Sequence, residues 1–187
     1  KLMATTDNCV EYDIKFFEEL HKYLRFNKDE LVGMRKAVEM GLIQRERLAE
    51  LAIEAVPGVP IDSRQGMDHA DGSDTKTVVS SYRNNSKARG SWTNSLMIRN
   101  VKTKVGPLRI IAYNKLLDEF HYFFVPYEAY RNCSSVVEII IESVNNTFSE
   151  PDFSGKPQTW RKWWNYKCES FEEMCMKKAT LVDKLFD

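Results

Sequence analysis

The 187-residue sequence has no uninterrupted apolar stretch of the roughly 18–20 residues that a membrane-spanning helix needs. Its longer apolar runs, such as Val136–Ile141, are interrupted by glutamate. It also has no charged segment followed by an apolar one near its start, which is the pattern of a secretory signal peptide. These absences predict a protein without membrane spans and with an intracellular, cytoplasmic location.

Cysteine is scarce, and no two cysteines form a Cys-x-x-Cys pair, so neither a zinc site nor a disulfide framework is predicted. Hydrophobic residues make up 43% of the chain and charged residues 29%, which is within the ordinary range of globular proteins. A chain of this length and composition is expected to form one domain over residues 1–187.

Acidic residues are missing from residues 75–117, which we call the basic segment and which carry nine lysines and arginines, Arg109 among them. By contrast, residues 1–74 have 15 acids and 10 bases, and residues 118–187 have 12 acids and 8 bases. A solvated charged face is one explanation, but a long acid-free stretch in a neutral chain favours contacts with nucleic-acid phosphates and bases. The predicted partner is double-stranded DNA, and the predicted contact residues are Arg83, Asn84, Asn85, Lys87, Arg89, Arg99, Lys102 and Lys104.

Apolar residues at three- and four-residue spacing predict helices over residues 11–56. The first is expected over Glu11–Tyr23, and the second begins at the cap formed by Asn27 and Glu30 and stops at Gly41. The third is expected over Glu46–Ala55, before a Pro-Gly-Val-Pro breaker. The N-terminal third of the chain is therefore predicted to be helical.

Short segments rich in Val, Ile, Thr, Tyr and Phe follow over residues 60–130, which is typical of a sheet. Helical patterns return over residues 134–187, at Ser134–Asn145 and Ser170–Phe186. The fold class expected is α/β, with a central sheet flanked by helices. The predicted strands are Asp74–Tyr82, Ser95–Thr103, Leu108–Asn114 and Glu119–Pro126, of which the last two form a hairpin.

Asp74 and Lys76 are two residues apart, so on a strand both side chains project from the same face. A carboxylate can hold a metal ion that polarises a phosphodiester, and a nearby ammonium can orient the attacking water. Since Mg²⁺ is commonly held by one or two carboxylates together with waters, a second carboxylate is expected nearby. The pair therefore predicts a Mg²⁺-dependent site for phosphodiester hydrolysis.

Three residues are candidates for the second carboxylate. Asp68 is favoured, because a short strand over Arg64–His69 that returns into Asp74–Tyr82 would bring it beside Asp74. Asp71 precedes Gly72 and suits the tight turn of that hairpin, although the roles of the two aspartates could be reversed. Glu54, at the end of the third helix, could enter the same cleft directly or through water.

The block Gly72–Thr77, with sequence Gly-Ser-Asp-Thr-Lys-Thr, resembles the Gly-x-Glu-Leu-Lys-Thr block of PD-(D/E)XK nucleases, the superfamily of many type II restriction endonucleases. Glu54 and Asp68 stand where those enzymes have an earlier glutamate and aspartate. Asp74 replaces the commoner Glu, and Thr75 replaces a bulky apolar residue. The resemblance implies a mixed central sheet with helices on both faces, Mg²⁺ dependence, and sequence-specific DNA cleavage that leaves a 5′ phosphate.

Two other functions fit parts of the sequence. The Asp68-His69 pair is also how HNH-type nucleases present a general-base histidine, although no second histidine or cysteine scaffold follows. In a non-catalytic nucleic-acid-binding module, the aspartates would only shape a turn. Each of these functions is compatible with a homodimer or with a subunit of a larger complex.

Overall fold

A computed structural model describes residues 2–56, 59, 61, 67–79, 81–83, 91–99, 104–114, 118–129, 136–144, 147–149 and 166–177. The chain divides into two compact units, Lys1–Ile61 and Asp62–Asp187. The first unit contains the predicted helices, and the second contains the predicted strands and the candidate site. The prediction of one nuclease domain over the whole chain stays a prediction.

In the first unit the described residues form three α-helices, α1 (Leu2–Leu20), α2 (Lys28–Glu39) and α3 (Arg45–Glu54). A short 3₁₀ helix continues α1. The capping box predicted at α2 is present, because Asn27 Oδ1 accepts a hydrogen bond from the Glu30 amide and the Glu30 carboxylate accepts one from the Asn27 amide. The chain leaves α2 through Gly41, whose positive φ of 75° suits glycine.

The helices of the first unit pack through apolar side chains, with Phe16 and Leu20 of α1 and Leu48 and Ile53 of α3 fully buried. A buried aspartate of α1, Asp13, accepts a hydrogen bond of 3.0 Å from the amide of Arg45, the first residue of α3. This contact ties the start of α3 to the side of α1. Within the described residues, no helix is long and apolar enough to cross a membrane.

The second unit contains two four-stranded sheets among the described residues, where the sequence predicted one. The described strands are β1 (Asp74–Val79), β2 (Ser81–Arg83), β3 (Ser91–Arg99), β4 (Leu108–Asn114), β5 (Glu119–Val125), β6 (Val136–Val144), β7 (Thr147–Ser149) and β8 (Lys167–Cys168). The first sheet has the order β1-β4-β5-β8 and the second has the order β2-β3-β6-β7. The one α-helix that the structure describes in this unit, α4, spans Phe171–Met176.

The first sheet is mixed, so the chain belongs to the α/β class in general. β1 runs parallel to β4 with Asp74 opposite Leu108, whereas β4 and β5 form the predicted antiparallel hairpin. The parallel pairing brings the start of β1 and the start of β4 to the same edge of the sheet. Asp74 lies at that edge, and Asp68 and Asp71 lie in the turn before β1.

The helix predicted at Ser134–Asn145 is wrong, because residues 136–144 form strand β6, paired antiparallel with β3. Six of the nine residues of this segment are β-branched, namely three valines and three isoleucines. Such residues lose side-chain freedom in a helix and pack well on a pleated strand. The helix predicted over Ser170–Phe186 is present as α4, which Ser170 caps and which ends at Met176; residues 178–187 of that prediction lie outside the described residues.

Candidate active site

The turn that leads into β1 spans Asp68–Ser73. The amide of Gly72 donates to the carbonyl of His69, and the amides of Asp68 and His69 both donate to the carbonyl of Ser73. Gly72 has a φ of 84°, as expected for the glycine that follows a type I turn in a three-residue hairpin loop. The turn predicted at Asp71-Gly72 is therefore present, and it returns the chain so that Asp68 lies beside the first residues of β1.

Asp68 and Asp74 are brought together by this turn. One oxygen of the Asp68 carboxylate accepts a 2.8 Å hydrogen bond from the Thr75 amide, and the Asp68 side chain is near enough to Asp74 to lower the pKa of the Asp74 carboxyl. On the strand itself, Lys76 Nζ lies 3.4 Å from Asp74 Oδ2, which confirms that these two side chains share one face. Two carboxyl groups and an ammonium thus converge at the first residues of β1.

Lys104 is a fourth member of this group, which we call the site cluster (Asp68, Asp74, Lys76 and Lys104). Its Nζ donates a hydrogen bond of 2.8 Å to Asp74 Oδ2, from a loop 30 residues further along the chain. The sequence placed Lys104 in the basic segment as a DNA contact, without a link to the aspartates. The structure places it against Asp74, although the DNA contact itself stays a prediction.

The electrostatics of Asp74 follow from its surroundings. Burial raises the pKa of this carboxyl, but the hydrogen bond with Asp68 and the charges of Lys76 and Lys104 together outweigh burial and hold the pKa below its ordinary value. Asp74 is therefore ionised at neutral pH. A buried, ionised carboxylate that faces a second carboxyl and two ammoniums has the chemistry needed to bind a cation or to pair with a phosphate-binding lysine.

Asp71 has different partners. Its Oδ1 accepts hydrogen bonds from the amide and the hydroxyl of Ser73, and its Oδ2 lies 2.8 Å from Arg109 Nη1. Burial raises the pKa of Asp71, and the Arg109 charge and the Ser73 hydrogen bonds outweigh it, so the net shift is downward. These contacts hold Asp71 in its own turn. Among the contacts that the structure describes, none joins Asp71 to Asp74, and its role as a metal ligand stays a prediction.

Arg109 has a side chain that is only 1% exposed. Besides Asp71, its guanidinium donates to the Ser73 hydroxyl, to the Met174 carbonyl at 3.2 Å and to the Lys177 carbonyl at 2.8 Å. We call Asp71, Ser73, Arg109 and the end of α4 the Arg109 anchor. The prediction that Arg109 contributes to a nucleic-acid-binding surface is wrong, because a guanidinium buried in this way has no access to phosphate.

His69 lies on the other side of β1. It is fully buried, and its Nε2 lies 2.6 Å from Thr75 Oγ1. This contact explains why a hydroxyl residue stands between Asp74 and Lys76, since a buried imidazole needs a polar partner that a bulky apolar side chain could not provide. A general base must reach the attacking water, so the burial of His69 argues against its use in an HNH-type reaction.

Of the remaining predicted residues, Glu54, Arg83 and Arg99 lie in the part of the chain that the structure describes, and the others do not. Glu54 is exposed at the end of α3 in the first unit, near Arg25 and Leu51, and its entry into the site stays a prediction. Arg83 and Arg99 lie at the ends of strands whose backbones are described. Asn84, Asn85, Lys87, Arg89 and Lys102 lie outside the described residues.

No group of three or more His, Cys, Asp or Glu side chains that could hold a metal ion occurs in the part of the chain that the structure describes. Comparisons of the chain with protein-family models, with curated proteins and with solved structures found no match. The proposals below therefore depend on the geometry and charge of the site cluster.

Two features of the site were missed by the sequence analysis. Lys104 was not connected to Asp74 because the parallel pairing of β1 with β4, which sets their starts side by side, is not encoded in any local pattern. Arg109 did carry a signal, because it is the one polar residue among Leu108–Ala112, the first five residues of β4. A charged residue within a buried run indicates a buried ion pair rather than a surface contact.

Proposed function

We propose that the chain is a Mg²⁺-dependent endonuclease that hydrolyses phosphodiester bonds in duplex DNA, in the manner of a sequence-specific type II restriction endonuclease. The observation that carries the proposal is the convergence of Asp68, Asp74 and Lys76 at the start of β1. Two carboxyl groups and a lysine on one face of a strand are the residue types that metal-assisted phosphodiester hydrolysis requires.

The residues present fit a magnesium ion. Carboxylate oxygens are the ligands that Mg²⁺ prefers, and a bound cation would replace the hydrogen bond by which Asp68 lowers the pKa of Asp74. Asp68 and Asp74 would hold the ion, which when bound polarises the phosphate and lowers the pKa of a water molecule. Two carboxylates are enough, because Mg²⁺ usually retains several waters and takes further oxygens from substrate.

Asp68 is better suited than Asp71 to be the second ligand. The Asp68 carboxyl contacts Asp74 and is oriented by the Thr75 amide. Both oxygens of Asp71 are already engaged by the Arg109 anchor. We therefore assign Asp68 and Asp74 to the metal and Asp71 to the support of the turn.

Lys76 would act on water and on the developing charge. Its side chain is 24% exposed, so its ammonium is reachable from solvent while it remains 3.4 Å from Asp74. From that position it can orient a water molecule for attack and stabilise negative charge on the phosphate. The Asp74 carboxylate keeps the Lys76 ammonium at the site in the absence of substrate.

DNA binding is assigned to the basic segment, on the grounds that it contains nine bases and no acid. Because Arg109 is buried, we expect the DNA contacts to come from the other predicted residues. These are Arg83, Asn84, Asn85, Lys87, Arg89, Arg99, Lys102 and Lys104. The alternative function is a non-catalytic nucleic-acid-binding module, in which the site cluster would be a set of ion pairs that fastens the loop before β4 to β1.

Incubation of the protein with plasmid DNA and Mg²⁺ tests the proposal. We expect cleavage that EDTA abolishes, and we expect Asp74→Asn to lower the rate more than about 100-fold, because residues that merely orient metal ligands already account for about 10–100-fold. DNA binding in Ca²⁺, measured by fluorescence anisotropy, should stay within about threefold of wild type, because Asp74→Asn removes none of the predicted DNA-contact side chains and keeps the charge of Lys104.

Asp118→Asn is the matched control. Asp118 is an exposed aspartate at the opposite end of the β4–β5 hairpin, where it accepts a hydrogen bond from Tyr113, and its substitution should leave cleavage unchanged. Mg²⁺-dependent cleavage retained by Asp74→Asn would refute the site. DNA binding without cleavage by the wild-type protein would favour the binding module, and discrete fragments would show sequence specificity.

A further inference from the structure

Lys104 holds an unusual position for a residue of a DNA-binding segment. Its side chain is 13% exposed, and its ammonium lies closer to Asp74 Oδ2 than the ammonium of Lys76 does, at 2.8 Å against 3.4 Å. Two ammoniums therefore share one carboxylate oxygen. In the described structure, Lys104 contacts the group that the proposed function assigns to a cation.

The loop that carries Lys104 is firmly placed. The amide of Asp74 donates a 2.9 Å hydrogen bond to the Pro107 carbonyl, and Gly106 packs so closely on Gly72 that a Cβ at Gly106 would overlap the Gly72 carbonyl. The backbone of residues 104–107 is therefore held against the turn. The lysine side chain, with four rotatable bonds, can change its partner without movement of this backbone.

The charges indicate when such a change would occur. Asp74 is ionised and faces the ammoniums of Lys76 and Lys104, so its negative charge is already compensated without a metal ion. A divalent cation held by the two aspartates would repel the Lys104 ammonium, and a DNA phosphate would attract it. Lys104 can then pair with Asp74 when the site has no cation, and with a DNA phosphate when the cation is bound.

We propose that Lys104 is a phosphate-binding residue that Asp74 holds in reserve, and that it exchanges Asp74 for a phosphate of the nucleic acid when the site takes up its cation. This inference rests on the proposed function, because it assumes that Asp68 and Asp74 bind a divalent cation. It adds that Lys104 competes with that cation in the free protein and contributes to DNA binding in the loaded one.

Lys104→Met tests the competition directly. This variant removes the charge and keeps most of the length of the side chain, so the affinity for Mn²⁺ without DNA, measured by calorimetry, should rise about fivefold. In Ca²⁺, the affinity for DNA should fall and the slope of log affinity against log salt should decrease by about 1, as expected for the loss of one phosphate contact. Cleavage should fall with it.

Lys167→Met is the matched control. Lys167 is exposed on β8, at the other end of the strand order from β1, and its substitution removes the same charge from the same unit. It should change neither the Mn²⁺ affinity nor the salt slope. An Mn²⁺ affinity in Lys104→Met that is equal to or below that of wild type would overturn the exchange and leave Lys104 as a structural ion pair.

Amine labelling of the wild-type protein provides a second test that does not depend on how the variant folds. Reductive methylation of Lys104, followed by mass spectrometry, should be slow in the free protein, faster with Ca²⁺, and slow again with Ca²⁺ and DNA. Lys167 should react at one rate in all three states. Unchanged labelling of Lys104 on addition of Ca²⁺ would contradict the proposal.

Failure of this inference can be told apart from failure of the proposed function. If wild-type protein binds Mn²⁺ and Asp74→Asn does not, the metal site stands, and the Lys104 results decide the exchange alone. If neither protein binds Mn²⁺ and neither cleaves DNA, both the proposed function and the exchange are overturned.

Discussion

The site cluster and the Arg109 anchor are neighbouring groups of acids and bases, and they differ in the kind of cation that pairs with the aspartate of each group. Asp71 meets a guanidinium that is 1% exposed and that also binds two backbone carbonyls. Asp74 meets two ammoniums that are 13% and 24% exposed. Asp71 is therefore paired with a fixed cation, whereas Asp74, three residues later, is paired with cations that can move.

The difference follows from the donors. A guanidinium presents several N–H groups in a fixed plane, and once all of them are engaged it cannot move without breaking several hydrogen bonds at once. An ammonium on a flexible stem is a compact charge that can change partner at low cost. A rigid anchor next to an adaptable cluster is the arrangement expected where one part supports and the other reacts.

Removal of the anchor should have the largest effect on stability. Arg109→Met leaves Asp71 and two backbone carbonyls without their partner, and we expect the free energy of unfolding in urea to fall by about 3–5 kcal/mol. Arg47→Met is the control, since Arg47 is an exposed arginine paired with Glu50, and its effect should stay within about 0.5 kcal/mol. Equal stability of the two variants would show that the anchor is dispensable.

The contact between the loop before β4 and the turn gives a second, smaller test. Gly106→Ala forces a methyl group into the Gly72 carbonyl, and the resulting displacement should cost about 1–3 kcal/mol of unfolding free energy. It should also separate Lys104 from Asp74 and so speed the labelling of Lys104 in the free protein. Gly33→Ala on α2 is the control, because the added methyl group meets no atom within 4 Å and should be neutral or stabilising. If Gly106→Ala were also neutral, the contact with Gly72 would not be what holds the loop.

The smallest effect is expected for Asp71→Asn, and it should depend on pH. At about pH 7 we expect a loss of about 1–2 kcal/mol, because Asn keeps the acceptor for Ser73 but loses the charge facing Arg109. The folded-state pKa of Asp71 lies below its ordinary value of 3.8, so its stabilisation is full well above that pH and is lost as the pH falls through the folded value. The stability curves of wild type and variant should therefore converge in acid.

Urea unfolding at about pH 6 and about pH 3 measures this convergence. Glu128→Gln removes an exposed carboxylate from the same unit, and its curve should run parallel to that of wild type. A constant gap between wild type and Asp71→Asn across this range would mean that the charge of Asp71 does not contribute through Arg109.

The parts of the fold that depend on local pattern were predicted well. The Asn27 capping box, the Gly41 stop and the β4–β5 hairpin are all present, because each depends on residues within a few positions of one another. The pairing of Asp74 with Lys76 belongs to the same class, since the alternation of a strand alone determines it.

What was missed depends on contacts between distant segments. Glu138 and Glu142 have the spacing of a helix face, but their β-branched neighbours and the pairing with β3 place them in a strand. Lys104 reaches Asp74 across 30 residues, and Arg109 reaches Met174 across 65. The spacing of residues within either segment does not indicate a contact with a residue so far along the chain.

The span of the Arg109 anchor has a consequence for the order in which the protein is made. The carbonyl of Lys177 that receives Arg109 is 68 residues downstream, which at ordinary rates of translation is synthesised about 3–14 s later. During that interval the guanidinium has only part of its final set of acceptors, and the turn that carries Asp68 is supported from one side alone. The nascent chain therefore completes the support of its candidate active site only after α4 has emerged.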